Sequence, residues 1–130
     1  MLEKPIAVLG GGSGGHCMAA DLTLAGYQVN FYEHPSFEAD FYTTLETGTV
    51  ELSGIGRRGK ANINLVTTDM AKAIENVNLL NIVLPAPGHD LFFNEMLPYL
   101  KNGQTVVVWA GQCAGLRLVP LAWAEGPRAQ

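Results

Sequence analysis

Short apolar runs alternate with more polar stretches along this chain, and their spacing predicts the secondary structure. The run Ile6–Leu9 is wholly apolar, which is typical of a parallel strand buried on both faces. Apolar residues then recur at helical spacing at Met18, Leu22 and Ala25. Gly26 stands where a glycine commonly ends a helix, and a second apolar strand follows over residues 28–32. The start of the chain therefore predicts a strand–helix–strand unit.

The middle of the chain predicts a hairpin. Two strand-like runs, Thr49–Leu52 and residues 61–63, are separated by a glycine-rich, basic connection over residues 53–60. The segment before them, residues 34–45, is expected to be a loop with a short helical turn. Residues 65–66 are expected to form a third parallel strand or to extend the hairpin.

The second half of the chain alternates helices and strands. Thr68 is expected to cap a helix over residues 69–76, and the later elements are a central strand at 79–84, a helix at 89–100 and a buried strand at Thr105–Trp109. This alternation predicts an α/β fold of the Rossmann type. Its doubly wound, mainly parallel sheet has right-handed crossovers, with the hairpin as a short insertion near residues 49–63.

A glycine cluster separates the first strand from the first helix, at Gly10, Gly11, Gly12, Gly14 and Gly15, with Ser13 where the helix begins. In G-x-G-x-x-G spacing, Gly10 permits a tight turn, Gly12 lets the backbone approach a pyrophosphate, and Gly15 lets the helix pack closely on the sheet. The free amides at the start of the helix then face the anion. The triplet alone would be weak evidence, but the flanking strands and helix predict a dinucleotide site.

Glu33 ends the second strand, eighteen positions after Gly15. An acid at this place accepts hydrogen bonds from the adenosine ribose hydroxyls and repels a 2′-phosphate, so NAD is the predicted cofactor. NADP remains possible, because Arg57 and Arg58 would accommodate that phosphate if they reached it. The alternative is that both arginines are solvated charge on a polar turn.

The composition changes this picture little. A chain of 130 residues fits one domain, and its net charge of -4 gives no electrostatic footprint for nucleic acid. No apolar run approaches the roughly 20 residues that a bilayer requires, so we expect no membrane association and a cytoplasmic location. The two cysteines, Cys17 and Cys113, are too few for a disulfide framework or a metal site, and neither is assigned a role.

Three longer segments carry a more specific resemblance. They are IAVLGGGSGGHCMAADLTLAGYQVNFYE, ELSGIGRRGKANINLVTTDMAKAIENVNLL and NIVLPAPGHDLFFNEMLPYLKNGQTVVV. Together, over roughly residues 4–108, they resemble the amino-terminal domain of the octopine/nopaline (opine) dehydrogenase family. Three motifs within these segments are more specific than the general Rossmann glycine pattern, namely GGG-x-GGH-x-MAADL, T-T-D and PA-x-x-H. Ketopantoate reductases and NAD-dependent glycerol-3-phosphate dehydrogenases share the first motif but fit the later segments less well.

The resemblance implies NAD(P)H-dependent reduction of an imine formed between an amino acid and a 2-oxo acid, so both are expected as small-molecule partners. The loop Pro85-Ala86-Pro87-Gly88-His89 would then border the cofactor, with Pro85, Ala86 and His89 as its candidate contacts. His89 would donate to a substrate carboxylate or a cofactor phosphate, or else bond to local backbone. His16 is expected to be a residue of the first helical turn without a chemical part.

The resemblance also implies a division of the chain. Residues 1–108 are expected to form the dinucleotide-binding domain, and residues 109–130 an atypical tail in place of the family's helical substrate domain. That domain supplies the family's catalytic histidine and its carboxylate partner, so no catalytic residue is assigned here. We expect a truncated product, with a frameshift before its last residues as one explanation, and its exposed apolar surface favours a homodimer. Two alternatives are a stand-alone NAD(H)-binding module without turnover and a fragment of a ketopantoate reductase-like or glycerol-3-phosphate dehydrogenase-like enzyme.

Overall fold

The computed structural model describes residues 3–54 and 56–109. Its strands are β1 (Ile6–Leu9), β2 (Val29–Tyr32), β3 (Thr49–Leu52), β4 (Gly59–Asn62), β5 (Leu65–Thr67), β6 (Leu79–Val83) and β7 (Thr105–Trp109). Its α-helices are α1 (Ser13–Leu24), α2 (Glu38–Thr47), α3 (Met70–Ile74) and α4 (His89–Met96). Short 3-10 turns lie at Pro35–Phe37, Ala86–Gly88 and Leu97–Tyr99.

Parallel strands form the central sheet in the order β5-β2-β1-β6-β7. The chain runs outward from β1 to one side through β2 and β5, then returns to the other side of β1 with β6 and β7. This order confirms the predicted Rossmann-type fold. After β1 and β6 the chain continues into α1 and α4, which lie on opposite faces of the sheet, and in doubly wound sheets ligands bind at this reversal.

The hairpin is confirmed as a separate antiparallel pair of β3 and β4, with Val50 opposite Ala61. Ala61 is buried and packs with Ala20 of α1, so the hairpin covers the outer side of that helix. An exposed ion pair between Arg57 and Asp21, 2.8 Å from Nη1 to Oδ1, joins the hairpin connection to α1. Exposed pairs of this kind contribute little to stability, so apolar packing holds the insertion in place.

The core lies on both faces of the sheet because alternate strand residues point to opposite sides. On one face, Leu80 and Ile82 of β6 pack with residues of α3 and α4, namely Met70, Ala73, Ile74, Phe92, Phe93 and Met96. On the other face, Val8 of β1 and Phe31 of β2 pack with residues of α1, α2 and the hairpin, namely Ala19, Ala20, Phe41 and Ala61. None of the helices within the described residues is long and apolar enough to cross a membrane.

The prediction for residues 34–45 is wrong, because α2 occupies most of this segment. Phe41 and Thr44 are its buried residues, and Gly48, at φ 66°, ends it in the left-handed conformation. The buried positions are too few to make an apolar stripe, and threonine, aspartate and aromatic residues have modest helix propensity. Packing against the sheet therefore stabilises a helix that local preference alone does not indicate.

Smaller corrections concern the ends of α3 and α4. The N-cap of α3 is Asp69, not Thr68: its carboxylate accepts a hydrogen bond from the Lys72 amide at 3.3 Å. Helix α4 ends at Met96 instead of continuing to residue 100. Pro98 follows in a 3-10 turn, since a proline without an N–H does not continue an α-helix. Finally, β5 joins the parallel sheet beside β2 and does not extend the hairpin.

Replacing Leu80 by alanine tests the packing of the central strand. Leu80 is 0% exposed, and its loss leaves a cavity beneath α3 and α4, so the free energy of unfolding should fall by about 3 kcal/mol. Urea denaturation measures the change. Leu91→Ala is the matched control, because Leu91 is 37% exposed and its truncation should cost less than about 1 kcal/mol. Equal losses in the two variants would contradict this core.

Candidate functional site

A cavity of about 870 Å³ lies at the carboxyl edge of the central sheet. Its walls come from the loop between β1 and α1, the end of β2, the segment between β6 and α4, and the end of β7. The lining residues are Gly10, Gly11, Gly12, Ser13, Gly14, Glu33, Phe37, Val83, Leu84, Pro85, Pro87, Gly88, Phe92 and Trp109. The cavity therefore spans the topological reversal identified above.

The glycine loop (residues 10–15) packs against neighbouring backbone too tightly for side chains at two positions. Gly10 has φ +124°, and a Cβ there would strike the Val83 carbonyl oxygen. A Cβ at Gly15 would strike the carbonyl oxygen of Gly10, so α1 begins directly against the loop backbone. A Cβ at Gly12, by contrast, would have no atom within 4 Å. The loop thus presents bare backbone to the cavity, with open space above Gly12.

The first turn of α1 suits an anion. Its N-cap, Gly12, makes no side-chain capping bond, and the turn contains no acidic residue. The first amides of an α-helix lack acceptors within the helix and carry the positive end of its dipole. Because Ser13 and Gly14 line the cavity, this partial positive charge faces the space where a ligand would lie. The donor set matches the oxygens of a phosphate group.

Glu33 provides the acid in the cavity wall. It is 8% exposed, and its Oε2 accepts a hydrogen bond from the Gly11 amide at 2.9 Å. Its Oε1 accepts one from the His34 amide, also at 2.9 Å. A carboxylate oxygen can accept more than one hydrogen bond, so the group retains capacity for hydroxyl donors. The residue both fixes the glycine loop and offers acceptors to a ligand.

Tyr32 is buried behind the cavity wall, next to Glu33. Burial chiefly, followed by the negative charges of Glu95 and Glu33, raises the pKa of its phenol above the ordinary range. Its hydroxyl has no hydrogen-bond partner in the described part of the chain. The ring packs edge-on against Phe92, with centroids 5.5 Å apart, and Phe92 lines the cavity.

The two helix-start histidines have structural contacts. The Nδ1 of His16 lies 3.0 Å from the Gly12 carbonyl oxygen, and its Nε2 lies 2.7 Å from Thr44 Oγ1. His16 therefore connects the glycine loop to α2, a contact that sequence reasoning missed. His89 is fully buried, with Nε2 3.0 Å from the Leu84 carbonyl oxygen. This geometry corresponds to the local-backbone interpretation of His89, which is not part of the cavity wall.

The predicted site residues divide into those in the wall and those behind it. Gly10, Gly11, Gly12, Ser13, Gly14, Glu33 and Pro85 line the cavity. Gly15 is buried behind the loop, and Ala86 lies in the adjoining 3-10 turn.

Neither arginine of the hairpin connection lines the cavity. Arg57 pairs with Asp21, and the Nε of Arg58 donates to the Gly54 carbonyl oxygen. The structure thus gives no support to their interaction with a 2′-phosphate.

Pro87 and Gly88 of the predicted loop also line the cavity, and sequence reasoning missed five lining residues, which are Phe37, Val83, Leu84, Phe92 and Trp109. The sequence position of two of them could have indicated the site, because Val83 and Trp109 end the two strands that follow the reversal. Ligands of doubly wound sheets bind at the carboxyl ends of such strands. Phe37 was hidden because its segment was predicted to be a loop. No group of three or more histidine, cysteine or acidic residues within residues 3–54 and 56–109 is arranged to hold a metal ion.

Comparison with known proteins gives the site a family context. The family described as NAD-dependent glycerol-3-phosphate dehydrogenase N-terminus matches residues 5–115. An opine dehydrogenase of Arthrobacter sp. (strain 1C) is 32% identical over 117 residues, which cover 88% of this chain and 32% of that protein. One of Haliotis discus hannai is 27% identical over 124 residues, covering 85% of this chain and 30% of that protein. The chain thus spans about a third of the length of these curated relatives.

A solved structure shows the same relationship. Octopine dehydrogenase in complex with NADH and agmatine superposes with a TM-score of 0.66 and 25% identity, over 80% of this chain and 28% of that one. The similarity to opine dehydrogenases predicted from the sequence is therefore confirmed. The relation to glycerol-3-phosphate dehydrogenases also extends well beyond the glycine motif, since the family match continues through the later segments.

Alanine substitutions at two glycines test the geometry of the loop. Gly15→Ala should lower the free energy of unfolding by at least about 2 kcal/mol, because its Cβ overlaps the Gly10 carbonyl oxygen. Gly12→Ala should cost no more than about 1 kcal/mol, since its Cβ enters open space and its φ of -78° suits alanine. Thermal and urea unfolding measure both. A Gly15→Ala protein as stable as the unsubstituted chain would refute the close packing of α1.

Proposed function

The chain belongs to the family of NAD-dependent glycerol-3-phosphate dehydrogenase amino-terminal domains, and we propose that it holds NADH for the reduction of an imine. It is an NAD-binding domain like that of opine dehydrogenases. The imine forms between the amino group of an amino acid and the carbonyl carbon of a 2-oxo acid, and the carbonyl oxygen leaves as water. NADH, when bound, supplies the hydride, which adds to the imine carbon while a proton adds to the nitrogen. The product is an N-(carboxyalkyl) amino acid.

One observation carries the cofactor assignment: an uncapped helix start and an anchored carboxylate face the same cavity. The first attracts an anion and the second accepts from hydroxyl groups, and a dinucleotide carries a pyrophosphate next to a ribose. In the proposed arrangement, the pyrophosphate lies over the bare backbone at Gly12 and the first turn of α1. The adenosine ribose lies against Glu33. A 2′-phosphate in that place would meet the Glu33 charge, which favours NADH over NADPH.

The remaining wall would meet the other half of the cofactor. Pro85, with Ala86 beside it, follows β6 and borders the cavity beyond the glycine loop. His89 would act indirectly, through Leu84. Its ring is hydrogen-bonded to the carbonyl of Leu84, and Leu84 lines the cavity. In this proposal His89 orients the β6–α4 segment and does not touch the cofactor.

The rest of the proposal concerns the setting of the reaction. Residues 1–108 form the cofactor-binding domain, and the substrate pocket with its acid–base group comes from outside the described residues. The substrates are an amino acid and a 2-oxo acid, and the compartment is the cytoplasm. Exposed aromatic side chains, among them Tyr42 and Tyr99, favour association into a homodimer.

Calorimetric titration of the full chain with NADH and NADPH tests the cofactor proposal. NADH should bind more tightly than NADPH, because Glu33 repels the 2′-phosphate. A parallel assay, with NADH, mixed amino acids and 2-oxo acids, separates capture from turnover by following NADH oxidation. Binding of NADH without turnover would restrict these 130 residues to cofactor capture. Binding of neither dinucleotide would contradict the proposed function.

Glu33→Gln tests the discrimination between the two cofactors. Loss of the charge should shift the ratio of NADPH to NADH affinity toward NADPH by about tenfold. The variant should also be less stable by about 1 to 3 kcal/mol, because an amide has one acceptor oxygen for the two backbone N–H groups of Gly11 and His34. Glu46→Gln, at an exposed position of α2, is the matched control. An unchanged affinity ratio in Glu33→Gln would contradict the role of Glu33.

A further inference from the structure

A buried amide in the central sheet binds a tryptophan at the edge of the cavity. Asn81 of β6 is 5% exposed, and its Nδ2 donates to the Ala7 carbonyl oxygen of β1 at 3.3 Å. Its Oδ1 accepts a hydrogen bond from the indole Nε1 of Trp109 at 3.0 Å. An amide buried without partners is costly, so these two bonds account for a polar residue in an otherwise apolar strand. Asn81 thereby links β1, β6 and Trp109.

Trp109 is anchored and yet accessible. Although its indole N–H is bonded to Asn81, the residue is 49% exposed and lines the cavity. An anchored ring loses less conformational freedom when a ligand packs on it, which makes it a better contact than a mobile side chain. Aromatic rings prefer other flat rings as partners, in stacked or edge-on arrangements.

The position of Trp109 in the sheet determines which end of a bound dinucleotide it would contact. Trp109 lies beside Val83 in the register of β6 and β7, whereas Glu33 follows β2. Three strand spacings separate β2 from β7, or roughly 14 Å. The glycine loop lies between them. With the adenosine ribose at Glu33 and the pyrophosphate at the loop, the remaining ring, the nicotinamide, extends toward Trp109.

We propose that Trp109, held by Asn81, forms the contact surface for the nicotinamide ring and orients it at the open side of the cavity. This inference rests on the proposed function, since it assumes a bound NADH. It adds a positioning residue at the nicotinamide end, where neither the glycine motif nor the acid after β2 acts. Asn81 contributes indirectly, by fixing the edge of the indole.

Binding of NADH and of ADP-ribose separates the two halves of the site, because ADP-ribose lacks the nicotinamide. In the full chain, Trp109→Ala should weaken NADH binding by roughly five- to tenfold and change ADP-ribose binding by less than about twofold. Trp109→Phe keeps a flat ring without the indole N–H and should show a smaller loss. Phe37→Ala, at the Glu33 end of the cavity, should weaken both ligands alike.

Tyr99→Ala is the matched control, because Tyr99 is a similarly exposed aromatic residue, at 44%, that does not line the cavity. It should leave both affinities unchanged. Retained ADP-ribose binding also shows that the Trp109 variants are folded. Equal losses of NADH and ADP-ribose in Trp109→Ala and Trp109→Phe, or no loss of NADH in either, would overturn the inference. Failure of the unsubstituted chain to bind either ligand would instead overturn the proposed function on which it rests.

Discussion

Helix α1 begins directly against the glycine loop, and this contact leaves no room for a Cβ at Gly15. A separate contact, between the loop backbone and the Val83 carbonyl at the end of β6, leaves no room for a Cβ at Gly10. The loop is therefore held from two sides by backbone atoms, which cannot move aside as a side chain would. Consequently the amides of the first helical turn point in a fixed direction. The shape of this part of the cavity is set by β1, β6 and α1 together.

Glu33 is part of this arrangement, in addition to its proposed contact with the cofactor. Its carboxylate binds the amide of Gly11 within the loop and the amide of His34 at the start of the next segment. His16 adds a second connection, from the Gly12 carbonyl to Thr44 of α2. Because the acid holds the loop and faces the ligand, cofactor preference and loop stability cannot be changed independently at this position.

The sequence predicted the part of the site that depends on local geometry. Gly10 and Glu33 are set by a turn and by the end of a strand, both of which follow from patterns of a few residues. It did not predict α2, whose buried face consists of Phe41 and Thr44, since that helix depends on packing against the sheet. Trp109 was also missed, because its place beside Val83 is a matter of strand order between distant segments.

The two ends of the cavity differ in their chemistry, and under the proposed function this difference separates binding from reaction. One end carries a fixed carboxylate and the free amides of a helix, which recognise charged and hydroxylated groups. The other end is mostly apolar, with Val83, Leu84, Pro85, Pro87 and Trp109 in its wall. Binding energy gained at a remote polar end can hold a ligand while the reacting end is oriented by shape in a water-poor surrounding. Under the proposed function, a domain built in this way retains its cofactor before any substrate is present, because the groups that would capture the dinucleotide are not the groups that would meet the imine.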